Sequence, residues 1–236
     1  MLFVWRKSYM KELFRISLTR FERGLWLSSV IVVAGTYIGF QSGDAMSLIA
    51  SLIGVTALIF VAKGHVLGQV LTIVFAVFYG VISLGFRYYG EMITYLGMTA
   101  PMALLALITW LRNPYQDSAE VAVHRLTKRQ CVCLLAVTVL VTAGFYFILR
   151  AMGNAVLLVS TLSVTTSFLA SALTAMRSPY YALVYAANDL VLIVLWVMAA
   201  LTDISSVPMA ACFTMFFLND MYGFINWRRM EKRQRA

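Results

Sequence analysis

Two acids, Asp189 and Asp220, stand inside long apolar stretches late in this 236-residue chain. A carboxylate at membrane depth costs at least ~2.5–3.5 kcal/mol on insertion scales, so it faces protein or water and marks a site or a path. Tyr185, Asp189, Leu192 and Trp196 recur at i, i+4, i+7 and i+11, which puts an acidic and aromatic stripe on one helix face, with Asn188 beside it. Asn219, Gly223 and Asn226 form a second stripe, flanked by Asp220 and Tyr222. Here two amides and a glycine leave room for a ligand or for a close helix. Together these groups suit a cationic, aromatic, hydroxylated ligand: a carboxylate offsets its charge, a ring stacks on it, and amides read its polar edges. The same residues also read as interhelical glue, with a neutral Asp189 and Asn amides bonded to neighbouring helices, and with Asp220 paired to Arg177 or Arg228. In the first half the interior candidates are Gln69, Thr72, Tyr79, Thr94, Tyr95 and Thr109, so recognition is weighted to the second half.

The elements that position these residues follow from composition. With 61% hydrophobic and only 12% charged residues, the chain cannot cover itself with polar surface in water. Lipid offers the backbone no hydrogen-bond partners, and the apolar runs are continuous rather than alternating, so the expected fold is an all-α integral membrane bundle. At about 20 apolar residues per crossing, eight transmembrane helices are expected.

The division of the chain is an amphipathic cytoplasmic segment (1–23), an extra N-terminal span (24–42), a first three-helix repeat (46–112), a linker helix (129–150), a second three-helix repeat (155–228) and a basic cytoplasmic tail (229–236). In the first segment Met10, Leu13, Phe14, Leu18 and Phe21 alternate with basic residues at helical spacing, as in a helix lying on an anionic membrane surface. Its charges are spread out and no cleavage pattern follows, so it is not a signal peptide.

With both termini inside, seventeen of the nineteen Lys and Arg fall on the cytoplasmic side and only Arg87 and Arg150 outside. That bias supports eight spans and placement in the cytoplasmic membrane, and it accounts for the net charge of +9 without nucleic acid. The same assignment leaves no Lys or Arg at the midplane to replace water around a phosphate, so a phosphorylated ligand is a poor candidate.

A repeat is visible as well. The run Gly223, Phe224, Ile225, Asn226, Trp227, Arg228, Arg229 echoes Ala106, Leu107, Ile108, Thr109, Trp110, Leu111, Arg112, each closing a block of three apolar segments. Span parity makes the two blocks parallel, with the linker helix restoring direction, a layout that in transporters brackets a midplane site. Trp110 and Trp227 are expected in the interfacial aromatic belt. Cys131, Cys133 and Cys212 have neither zinc nor disulfide spacing and read as buried small residues, and His65 and His124 read as solvated turn residues. No metal, cofactor or nucleophile–base set is implied, so the chain is not expected to be an enzyme.

The ordered set Val61, Ala62, Lys63, Gly64; Phe78 to Ser83; Tyr88 to Glu91; Pro101, Met102 and Trp110, followed by Asn188, Asp189, Trp196 and then Phe217 to Asp220, Tyr222, Gly223, Trp227 and Arg228, resembles the PnuC family of vitamin transporters over about residues 47 to 230. The resemblance implies a three-plus-one-plus-three core related in layout to the sugar transporters called SWEETs. It also implies facilitated diffusion of a non-phosphorylated vitamin, usually nicotinamide riboside, with alternating access and trapping by cytoplasmic phosphorylation. The absence of a G-x-x-x-x-G-K-[ST] run agrees with this. Nicotinamide riboside members carry Trp-x-x-Trp-x-x-x-Asn or Asp in the helix where this chain has Ala182, Tyr185 and Asp189, and a common Gln or Asn aligns with Phe75. Thiamine or riboflavin transport, proton-coupled uptake, and a non-transporting sensor or scaffold are the alternatives. A homo-oligomer is compatible with all of them.

Overall fold

The computed structural model describes residues 17–40, 45–85, 89–116, 118–154 and 156–236, so the basic and apolar pattern of residues 1–16 lies outside the described residues. Among those described there are eight long helices in chain order. They are α1 (Arg20–Gly39), α2 (Ala45–Ala62), α3 (Leu67–Gly85), α4 (Tyr89–Arg112), α5 (Lys128–Ala151), α6 (Leu157–Ala175), α7 (Tyr181–Ala200) and α8 (Val207–Arg233). α2 through α8 are each long and apolar enough to cross a membrane. α1 is as long as α7 but less apolar, since Arg20, Glu22 and Arg23 fall in its first turn and Ser28, Ser29 and Thr36 in its body.

Helix starts follow local chemistry. Thr19 caps α1 and Glu22 returns the bond to the Thr19 amide at 2.7 Å, a capping box that draws residues 20–23 of the expected surface segment into the helix. Thr127 and Gln130 do the same for α5. Pro208 sits in the first turn of α8, where its missing N–H costs nothing.

Glu22 is 2% exposed and also ties α1 to the bundle. It accepts from Lys63 Nζ at 2.9 Å and from the Tyr222 hydroxyl at 2.9 Å. Burial alone would raise its carboxyl, but the bonds from Thr19, Lys63 and Tyr222 outweigh burial and hold it below the usual carboxylate range. A lowered folded pKa adds stability above the unfolded value and loses it as pH falls through the folded one. Glu22→Gln should therefore cost about 1.5–3 kcal/mol at neutral pH. The deficit should close as pH falls through the folded value, which lies below the ordinary glutamate range. Melting curves in detergent at neutral and at acid pH check this.

The packing has a pattern. α2 lies on α3 and α3 on α4; α6 lies on α7 and α7 on α8; the two sets meet where α8 packs on α2 and α4 packs on α6. α1 lies against α8 and α2. α5 packs chiefly on α6 and turns Val132, Leu135, Val139, Leu140 and Phe147 outward. Cys131 and Cys133 are accordingly exposed on α5, contrary to the expected burial, because a helix with one main neighbour leaves most of its surface to lipid. Cys212 is buried as expected.

The two seams close on matching bonds. The Trp110 indole N–H donates to Thr174 O at 2.9 Å and the Thr109 hydroxyl to Ala175 O at 2.9 Å, so α4 clasps the last turn of α6. The Trp227 indole N–H donates to Val61 O at 2.9 Å and the Asn226 amide to Ala62 O at 2.8 Å, so α8 clasps the last turn of α2. Val61 O and Thr174 O also accept the Gly64 and Arg177 amides at 2.9 Å, so there the indoles add a second bond, while Asn226 and Thr109 supply Ala62 O and Ala175 O at the helix ends. The two indoles are fully buried with centroids 5.4 Å apart, so they are not belt residues: each needs a carbonyl that the opposite set supplies.

The turns after α2 and α6 match too. Gly64 (φ 66°) and Arg177 (φ 58°) both take the left-handed conformation, followed by amide bonds back to Phe60 O and Leu173 O at 2.9 Å. His65, in the first of these turns, is buried and accepts the Leu67 amide at 3.1 Å, which corrects the solvated reading. Opposite charges set the rest of this end: Arg125, Arg228 and Arg235 gather on Glu231, and Arg233 pairs with Glu120.

Candidate functional site

A cavity of about 60 Å³ lies inside the bundle where the two helix sets face each other. α2 contributes only small and apolar groups, Gly54, Ala57, Leu58 and Val61. α3 adds Gln69, Thr72 and Phe75; α4 adds Tyr95 and Thr99; α6 adds Thr174; α7 adds Tyr185, Asn188 and Asp189; α8 adds Phe216 and Asp220. Gly54 is needed as glycine, because a Cβ there would run into the Phe216 ring.

Asp189 and Asp220, both 3% exposed, interact directly across the α7–α8 contact. Asp220 thus faces an acid and not the expected arginine. Arg228 instead pairs with Glu231 and lies over the Tyr180 ring, and Arg177 reaches Ala122 O. Two carboxyls in contact with no Lys, Arg or His in the lining make a site for positive charge, met by a shared proton or a cationic ligand.

Two polar atoms of the lining are open. Asp189 Oδ2 accepts no hydrogen bond and Gln69 Nε2 donates none, although both are buried. An acceptor and a donor left open in one small space are exceptions among buried polar groups and point to a ligand with the complementary pair. The other lining groups are held from behind: the Tyr185 hydroxyl bonds Ser171 Oγ at 2.9 Å, and Asn188 Oδ1 accepts from Thr166 at 2.7 Å and Ser167 at 3.1 Å. Phe75 is packed edge-on against Tyr95 and Phe216, with centroids 5.8 and 5.4 Å away, so one wall is a fixed aromatic surface.

Of the ten residues proposed from sequence, Gln69, Tyr185, Asn188, Asp189 and Asp220 meet in this lining. The other five lie outside it. Trp196 donates to the Tyr79 hydroxyl at 2.8 Å, and both are fully buried behind the wall formed by Tyr95. Asn219 bonds Ser29 of α1 at 3.0 Å, Tyr222 bonds Glu22, and Asn226 belongs to the clasp on α2. The Asn219–Gly223–Asn226 stripe therefore faces helices. At Gly223 an added Cβ would meet Tyr181 Oη at 3.3 Å, which is the close approach that the glycine permits.

Sequence reasoning passed over Thr99, Thr174, Phe216 and Gly54. A lone glycine in the middle of an apolar span was the available signal for the last of these. Glu91, which sequence reasoning did not single out as a site residue, is buried in the first turn of α4, at 1% exposure.

The model of a family described as nicotinamide mononucleotide transporter matches residues 44–229. The chain belongs to this family. Like other members of the nicotinamide mononucleotide transporter family it is a multi-pass membrane transporter and not an enzyme. The chain is 25% identical over 220 residues to the nicotinamide riboside transporter PnuC of Neisseria mucosa, covering 91% of this chain and 83% of the relative. It is 24% identical over 212 residues to the protein of the same name from Haemophilus influenzae, covering 89% and 90%. A crystal structure of the vitamin B3 transporter PnuC superposes with a TM-score of 0.83 at 24% identity, covering 97% of this chain and 99% of the other, so the family's fold is shared end to end.

Proposed function

We propose that this chain carries nicotinamide riboside across the cytoplasmic membrane by facilitated diffusion, with both termini on the cytoplasmic side. The observation that carries the proposal is the Asp189–Asp220 pair beside aromatic walls, with the open Asp189 Oδ2 and Gln69 Nε2 atoms in the same space. A pyridinium ring offers positive charge to the acids and a flat face to Tyr185, Tyr95 and Phe75, and a carboxamide offers one donor and one acceptor. The family's description speaks of the mononucleotide, but two carboxyls with no Lys, Arg or His in the lining repel a phosphate, which favours the riboside named for the two relatives.

Ligand cavities for molecules of this size run to about 300–1,000 Å³. The observed space is a fraction of that, so loading requires the helix sets to part. The matching clasps support a rocking motion of α2–α4 against α6–α8, two parallel three-helix units that open alternately to either side. Saturable uptake of labelled nicotinamide riboside into proteoliposomes containing only this protein is the expected result. Thiamine, riboflavin and the mononucleotide, run in parallel, should compete weakly or not at all; absence of saturable flux would defeat the proposal, and preferred uptake of thiamine would reassign the substrate.

A further inference from the structure

Glu91 has no part in the cavity, yet it is the least accommodated acid of the bundle. Neither Oε1 nor Oε2 has a hydrogen-bond partner, and the Ser163 hydroxyl of α6, which lies beside it, closes no bond either. Among the described residues the titratable groups facing it are the phenols of Tyr79, from α3, and Tyr95, from its own helix. Around the adjacent Gly90 there is no slack: an added Cβ would lie 3.1 Å from Leu149 of α5 and 3.4 Å from Ser160 of α6. Among the described residues no Lys, Arg or His pairs with Glu91. A bare carboxylate is heavily disfavoured in such a place, whereas a neutral carboxylic acid is tolerated. Packing this tight fits a proton and nothing larger.

A second observation concerns the backbone. One turn beyond Glu91, Tyr95–Thr99 form a π turn, closed by the Ala100 amide on Tyr95 O five residues back. Pro101 follows and has no N–H to give, which frees the ladder at this point. Tyr95 and Thr99, the ends of the π turn, both line the cavity. The short segment Tyr89–Thr94 that bears Glu91 is thus joined to the cavity wall through a joint.

We propose that Glu91 is a proton-binding site that gates the end of the bundle remote from the tails: the α4–α6 seam there closes when Glu91 takes a proton from water and opens when it returns that proton. One O–H bond forms on closing and the same bond breaks on opening towards the same side, so the site sets the rate of exchange and not its direction. This rests on the carrier reading, and the two are separable by experiment.

The test is counterflow of labelled nicotinamide riboside in proteoliposomes with equal pH on both faces. Wild-type exchange should fall by about tenfold per pH unit above the titration, as one required proton dictates. Glu91→Gln, neutral and of the same shape, should remove that fall while still binding the riboside; Glu91→Asp should keep it. A Glu91→Gln profile that follows wild type overturns the gate and leaves the carrier intact. No exchange at any pH overturns the carrier and the gate with it.

Discussion

Asp189→Asn should cut nicotinamide riboside uptake by about 100-fold while making the protein harder to melt. The loss follows from removing one buried partner of a charge interaction, ~2–5 kcal/mol, at ~1.4 kcal/mol per factor of ten. The gain follows from the pair itself: Asp189 and Asp220 meet in the bundle interior without a cation, an arrangement kept against stability. An amide can donate to Asp220, and relief of such a buried charge cluster is worth about 1–4 kcal/mol. The opposite signs separate a binding role from a packing role, because a packing residue would lose both together. Charge can be isolated further with dihydronicotinamide riboside, which has nearly the same shape and no positive charge. Its uptake should be far less sensitive to Asp189→Asn, and an equal loss for both compounds would mean that Asp189 positions the ligand without neutralising it. Wild-type flux of the cation would remove Asp189 from the site altogether.

Trp110→Phe and Trp227→Phe should each cost about 0.5–1.5 kcal/mol, the net worth of one hydrogen bond, since Thr174 O and Val61 O each keep a backbone amide donor. The two changes are far apart in the chain but should behave alike, since each strips the clasp from a helix end of the opposite set. Because the rings touch, the double variant should depart from the sum of the singles by at least about 0.5 kcal/mol. A weaker clasp also lets the tail end open more easily, so the fraction of closed protein and with it the apparent affinity should fall in both variants. Melting curves and riboside binding on the two single variants and the double one supply the check. A large effect from one tryptophan and none from the other would break the equivalence of the seams.

Much of the fold was legible because lipid is an undemanding solvent to read: every apolar run of crossing length had to be a helix. The helix ends were less legible, since caps such as Thr19 and Thr127 act over a few residues and outweigh hydropathy there. The acid stripe on α7 was readable because a carboxylate in a span must face inward. Which neighbour it faced was not, for that depends on how α7 and α8 rotate against each other. The α8 stripe shows the limit. Asn219, Tyr222 and Asn226 have the polarity of ligand groups, but α1 and the end of α2, both remote in sequence, use that polarity up.

The exchanged clasps also say what kind of object each half is. Val61 and Ala62 are finished by residues of the second half, and Thr174 and Ala175 by residues of the first. Separated, each half would leave one carbonyl at the end of its opening helix, Ala62 O or Ala175 O, without its side-chain donor, and another with one bond fewer. Neither is an autonomous folding unit, and the two are tied together as reciprocally as the arms of a swapped dimer held on one chain. A motion that parts them must undo at one end what completes both, so the inventory of helix-end bonds is at once the protein's assembly code and the barrier over which it works.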